Sequence, residues 1–165
     1  MSTKPSLAVV ERLYLADAMG APLQARLRLS LCAGQGIVGD RHAGRRDWPG
    51  QNLTLVEAEE IENYCLSRSR PIDLALTRRN IVTRGVRLNS LVGRRFRIGD
   101  CLLYGVERCE PCLSLGQHLA DETFDVPAVI HYWRGRGGLR ADVLSDGAIR
   151  VGDKLEIVDT SGGLA

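Results

Sequence analysis

Residues 94–107, RRFRIGDCLLYGVE, set two short runs of alternating polarity on either side of Gly99-Asp100. Phe96 and Ile98 alternate with Arg95 and Arg97, the period of a half-buried strand, and a Gly-Asp pair between two such runs predicts a hairpin. The same turn recurs in IRVGDKLEIV at 149–158. The flanking residues do not match well enough for a duplicated unit, so this second copy is expected to be reused hairpin chemistry. A chain built on such hairpins must bury one face of each, which restricts it to a sheet closed on itself or packed on another layer.

The remaining segments fit that frame. LAVVERLYLA at 7–16 and PLQARLRLSL at 22–31 read as strands, the second with Leu23, Ala25, Leu27, Leu29 and Leu31 on one face. AGQGIVGDRHAG at 33–44 interrupts regular structure, QNLTL reads as a short strand, and Thr54-x-x-Glu57 has the spacing of a capping box before a helix over 56–66. On that helix Ala58, Ile61 and Cys65 share a face, so Cys65 is expected in the core. NIVT at 80–83 predicts a strand, LSLGQHL and 125–133 predict short helices, and 160–165 predicts a frayed tail. The expectation is one mainly β domain over 1–165, a barrel or sandwich with a few short helices.

Composition excludes several classes. Hydrophobic residues make up 44% and charged residues 25%, ordinary for a globular chain, and no apolar stretch approaches the ~18 residues a membrane span needs. Five cysteines, an odd and scattered set, make a poor disulfide framework, so free thiols and a cytoplasmic location are expected. Arginine outnumbers lysine 20 to 2, and from Arg68 to Arg108 ten arginines face three acidic residues, a net of +7. Guanidinium groups grip phosphate or carboxylate in a bidentate manner. A single-stranded nucleic acid on an Arg-rich barrel is the alternative such charge raises. With two Phe and two Trp in the chain, however, stacking platforms are scarce and nucleic acid is not the expected partner.

The chemistry centres on VERCEPCLSL at 106–115. A zinc clip needs a second pair of ligands, and Cys32, Cys65 and Cys101 stand alone. A thioredoxin-like pair needs a strand-to-helix context, where the neighbourhood here is hairpins. The third reading is one working thiolate. Pro111 fixes an extended corner and Cys112 opens the LSLGQHL helix, where helix N–H groups and nearby arginines lower a thiol pKa. The bland alternative is a buried, inert cysteine. GIVGDRHAG adds glycines that allow close backbone approach and places Asp40, Arg41 and His42 together; a structural loop in which Asp40 orders its own turn is the alternative. No motif for NAD, flavin or another nucleotide cofactor is visible.

Taken in order, GIVGDRHAG, QNLTLVEAEEIE, TRRNIVTRGVRLNSLVGRRFRIGDCLLYGVERCEPCLSL and RGGLRADVLSDGAIRVGDKLEIV resemble the MOSC domain in its short standalone bacterial members, over 35–158. The domain is named for the C-terminal domain of molybdenum cofactor sulfurase. The resemblance implies a compact β-barrel with a few short helices and a molybdenum-molybdopterin cofactor. It puts Cys112 at the family position that carries sulfane sulfur or ligates molybdenum. Arg78 and Asn80 fall where relatives hold the pterin, Arg78 suiting its phosphate, and Asp40, Arg41 and His42 match a loop expected to line the same pocket. Activity would be reduction of N-hydroxylated small molecules with electrons from a partner protein, or exchange with a sulfur donor or acceptor protein in which Cys109 could act as the resolving thiol. A catalytically inactive structural or regulatory domain is the alternative. The extra N-terminal β domain of the two-domain amidoxime reductases has no room in this chain, and the pyridoxal phosphate of full-length sulfurases belongs to a different domain.

Overall fold

The computed structural model describes residues 7–158; the expected frayed tail at 160–165 lies outside them. In chain order the strands are β1 (Val9–Leu15), β2 (Gln24–Arg26), β3 (Arg28–Cys32), β4 (Gly36–Ile37) and β5 (Leu53–Glu57). Helix α1 (Ala58–Ser67) leads to β6 (Ile81–Arg84), a short 3-10 turn at Leu88–Leu91, and the hairpin β7 (Arg95–Ile98) and β8 (Cys101–Arg108). Helices α2 (Leu113–Leu119) and α3 (Val126–Trp133) precede β9 (Leu139–Val143), β10 (Gly147–Arg150) and β11 (Leu155–Ile157).

Eight strands form one sheet in the order β11-β7-β8-β9-β5-β6-β1-β2, and β10-β3-β4 form a second. The large sheet curls until its ends meet: Val10 donates to the carbonyl of Asp153 at 2.9 Å and Leu155 to that of Ala8 at 2.9 Å. This is the expected β-rich, barrel-like fold with short helices.

Alternation sorts the side chains into two cores. Leu53 and Leu55 of β5 and Ile81 of β6 point into the barrel, while Val56 and Val82 point outward onto a second cluster with Ile61, Tyr64 and Cys65 of α1, Leu115 and Leu119 of α2, and Val129 and Trp133 of α3. A strand covered on both faces has no polar side to show, and every residue of β5 is buried. β5 and β6 are also parallel, joined across α1. A parallel connection was not expected from hairpin signals alone.

Three local expectations are corrected. Thr54 does not cap a helix; it lies inside β5, where its Oγ1 bonds Asn80, and α1 begins after Glu57 with no side-chain cap. Residues 22–31 are not one strand: Leu27 is 82% exposed, and the chain leaves β2 beside β1 and enters β3 beside β10. Nor is 149–158 a hairpin, because β10 pairs with β3 and β11 with β7. The two sheet-switching corners are tied to each other, Val151 donating to the carbonyl of Leu27 at 3.0 Å. Gly-Asp turn chemistry is therefore spent on a corner of the barrel at one site and on the β7–β8 hairpin at the other.

Candidate functional site

Cys112 stands at the junction of an extended segment and α2, with φ −107° and ψ 172°. It is exposed, whereas Cys65, Cys101 and Cys109 are buried. Partial burial of Sγ opposes its ionisation, but the N–H groups of Leu115 and Ser114 and the Arg79 guanidinium outweigh it and hold the thiol below its ordinary pKa. By contrast burial, followed by nearby carboxylates, pushes the Cys101 thiol up to about 11. Of the Arg-rich middle only Arg78 and Arg79 reach the wall around Cys112. Arg68, Arg84 and Arg87 are instead paired with Asp121, Glu11 and Glu62, and Glu57.

The loop after β4 supplies the opposite wall. Asp40 is buried and accepts from the backbone N–H of Ala16 at 3.1 Å and of His42 at 3.2 Å. Its Oδ1 receives Arg41 Nη1 at 3.1 Å, and its Oδ2 lies 3.5 Å from His42 Nδ1. Burial opposes ionisation of Asp40, and these donors together with the Arg41 charge reverse the sign, holding its carboxyl below the usual carboxylate range. Asp40 is thus an internal anchor that aims Arg41 and His42 at the cavity, and does not itself reach the cavity wall.

Thr77, Arg78 and Arg79 form the third side. Arg78 is one of two non-glycine residues with positive φ among the described residues, at 60°. A left-handed conformation costs an arginine roughly 1–2 kcal/mol. It is held there by its N–H to the carbonyl of Ala75, by Arg41 Nη2 donating to its carbonyl at 2.9 Å, and by its own Nη2 donating to the carbonyl of Ala21 at 2.7 Å. Asn80, expected beside it on a ligand, is fully buried: its Oδ1 accepts from Thr54 N and Oγ1, and its Nδ2 donates to the carbonyl of Tyr14. Both ends of the amide are engaged, so Asn80 ties β1 to β5 behind the wall and leaves the contact to its neighbours.

These pieces line a cavity of about 450 Å³ with Arg41, His42, Thr77, Arg78, Arg79 and Cys112 on its wall, together with Ser114, His118 and Arg140. Arg79, Thr77, His118 and Arg140 were not singled out from the sequence. For Arg79 the signal was its place beside Arg78; for Arg140, on β9, no local signal exists, because the fold alone brings it there. Cys109 is sealed, its N–H bonded to the carbonyl of Gly138 at 2.8 Å, and a Cβ on Gly137 would overlap its carbonyl.

The wall has unmet hydrogen-bonding capacity. Thr77 Oγ1 and Arg79 Nη2 are buried without a partner, a costly arrangement that an oxyanion in the cavity would relieve. Among the described residues no group of three His, Cys, Asp or Glu is arranged to hold a bare metal ion. A metal that arrives already bound to its own organic carrier asks for one protein sulfur, and the cavity offers Cys112. The donor set fits such a group. No helix among the described residues is long and apolar enough to cross a membrane.

Residues 39–156 match the MOSC domain. Among solved structures, the YuaD protein from Bacillus subtilis superimposes with a TM-score of 0.75 at 23% identity, covering 93% of this chain and 97% of that one. YiiM from Escherichia coli gives 0.66 at 18% identity over 94% and 71%, and YiiM from Geobacillus stearothermophilus 0.67 at 13% over 94% and 77%. No curated protein matches the chain. With the polar wall of the cavity, from Arg41 to Arg140, inside the matched stretch, the chain belongs to the MOSC domain family.

Proposed function

We propose that the cavity binds a phosphorylated molybdopterin and that Cys112 is the protein sulfur presented to its metal. The observation that carries this reading is an exposed, acidified thiol sharing one cavity with the guanidinium groups of Arg41, Arg78, Arg79 and Arg140. When bound, the cofactor would supply a centre able to exchange two electrons and one oxygen with an N-hydroxylated small molecule, the electrons coming from a separate protein. This chain would do the rest. Arg78 and Arg79 neutralise the oxyanion, with Thr77 Oγ1 donating to it. Arg41, braced by Asp40, keeps the loop closed against Arg78. His42 and His118 are imidazoles on the wall, suited to deliver a proton to a departing oxygen. Met19 and Leu115 add apolar surface to the same wall.

The exposure of Cys112 favours a second reading, sulfur carriage. Its thiolate would attack the outer sulfur of a donor persulfide, forming a new S–S bond as the donor thiolate leaves, and an acceptor would later take that sulfur. Both readings place the protein in a reducing compartment such as the cytoplasm, in keeping with five free cysteines.

The two are separated by metal analysis and cyanolysis on protein from a molybdopterin-competent host, wild type beside Cys112→Ser. Molybdenum that falls with the substitution supports the ligand role, and molybdenum unchanged by it refutes that role. Cyanolysable sulfur on wild type alone, without metal, selects the carrier. An inert thiol in both assays favours a domain that keeps the fold without the chemistry.

A further inference from the structure

The Cys112 cavity has neighbours that share its wall residues. His42 and Arg140 also border a second hollow of about 200 Å³ with Arg45 and Trp48, and those two residues border a third of about 380 Å³ that takes in Arg46, Asp47 and Asp142. The second and third hollows make an outer groove whose lining comes largely from the segment between β4 and β5.

Trp48 is 60% exposed, and it sits on a held loop. Gln51 Oε1 accepts from the backbone N–H of Asp47 at 2.9 Å and of Trp48 at 3.5 Å. Gly50 donates to Asp142 Oδ1 at 2.8 Å and, at φ 88°, packs so that a Cβ would meet Arg140 and Val106 at 3.2–3.3 Å. An indole presented on a pinned loop offers a stacking face without the entropy of ordering it on binding. Arg45 and Arg46 line the same hollow and are suited to a phosphate. Asp142 Oδ1 accepts from Gly50, and the Asp47 carboxylate on the same hollow is a further acceptor for hydroxyls.

We propose that this outer groove is a subsite for a nucleoside monophosphate, the base stacking on Trp48, the ribose hydroxyls meeting Asp47 and the phosphate meeting Arg45 and Arg46. A planar ring, a diol and an anion in one small molecule match the three chemistries the loop displays. A membrane or an apolar helix would need a broad hydrophobic face, and here the apolar surface of Trp48, Pro49, Val143 and Leu144 is interrupted by Arg45, Arg46, Asp47 and Asp142. The proposal rests on the reading of the Cys112 cavity only for the direction in which a longer ligand would extend.

The chain contains two tryptophans, and Trp133 is fully buried beneath α1, so quenching of fluorescence by a ligand in the groove reports Trp48. Purified full-length chain is titrated with guanosine monophosphate, guanosine and inorganic phosphate, with calorimetry in parallel. Guanosine monophosphate is expected to quench and to bind more tightly than guanosine or phosphate. Trp48→Leu is expected to weaken it about tenfold by calorimetry. Arg45→Gln with Arg46→Gln is expected to weaken guanosine monophosphate and leave guanosine unchanged. No quenching at millimolar concentration, equal affinity for phosphate alone, or full affinity in Trp48→Leu would each overturn the proposal. The titration needs neither metal nor reactive thiol, so failure of the Cys112 reading leaves it standing, and its own failure leaves the metal analysis untouched.

Discussion

Arg41 Nη2 donates to the main-chain carbonyl of Arg78 at 2.9 Å, joining two loops 37 positions apart and bringing two cations to one wall. Burial disfavours the Arg41 charge, Asp40 restores part of it, and Arg78 and Arg79 oppose it again. The cluster therefore depends on a single buried carboxylate.

Asp40→Asn should expose that dependence. Removing one partner of a buried pair leaves the other charge uncompensated, a loss of about 3 kcal/mol by urea unfolding. The sign with pH is fixed by the lowered Asp40 pKa. Its stabilisation is complete above the unfolded-state value, near 3.9, and is lost as pH falls through the lower folded-state value. Glu57 acts oppositely, since burial raises its pKa and its share is lost as pH rises through that value. Acid unfolding of wild type and Asp40→Asn should therefore converge once the pH falls below the lowered folded-state value of Asp40.

Arg78→Asn separates strain from function. Asparagine accepts positive φ more readily than arginine, which offsets the lost hydrogen bond to Ala21, so stability should change by less than about 1 kcal/mol. Affinity for a phosphate-bearing ligand should drop about tenfold by calorimetry. Equal affinity would remove Arg78 from the site.

Asn80→Ala is expected to do the reverse. The carbonyl of Tyr14 and the N–H of Thr54 lose their buried partner, a cost of about 2–4 kcal/mol in chemical unfolding. Any ligand affinity measured well below the unfolding transition should be retained, because Asn80 faces the strands and not the cavity.

Gly137→Ala places a methyl against the carbonyl of Cys109 and forces the Cys109–Pro111 segment outward. Native-state alkylation followed by peptide mass mapping should then find Cys109, which in wild type is protected by burial.

What could be read in the sequence was local. The β7–β8 hairpin follows from Phe96 and Ile98 alternating with arginines around Gly99, and the buried face of α1 from the spacing of Ala58, Ile61 and Cys65. The position of Cys112 ahead of a short helix followed from Pro111. The misreadings share a cause, which is that pairing partners are not local. Thr54 and Glu57 have cap spacing, but a central strand with both faces buried outweighed it. Leu27 keeps the alternation of its neighbours and still faces solvent, because the chain changes sheets at that residue. Asn80 sits in a segment that resembles a cofactor grip, yet its amide is consumed by β1 and β5, while Arg140 reaches the cavity through tertiary placement alone.

The pH dependence of Cys112 alkylation by iodoacetamide tests the central claim most directly, with all five cysteines followed by mass spectrometry. A rate midpoint below the ordinary thiol value of about 8.5, moving upward in Arg79→Gln and suppressed by a phosphate-bearing ligand, is the predicted result. A midpoint at or above that value, indifferent to Arg79 and to anions, would contradict it.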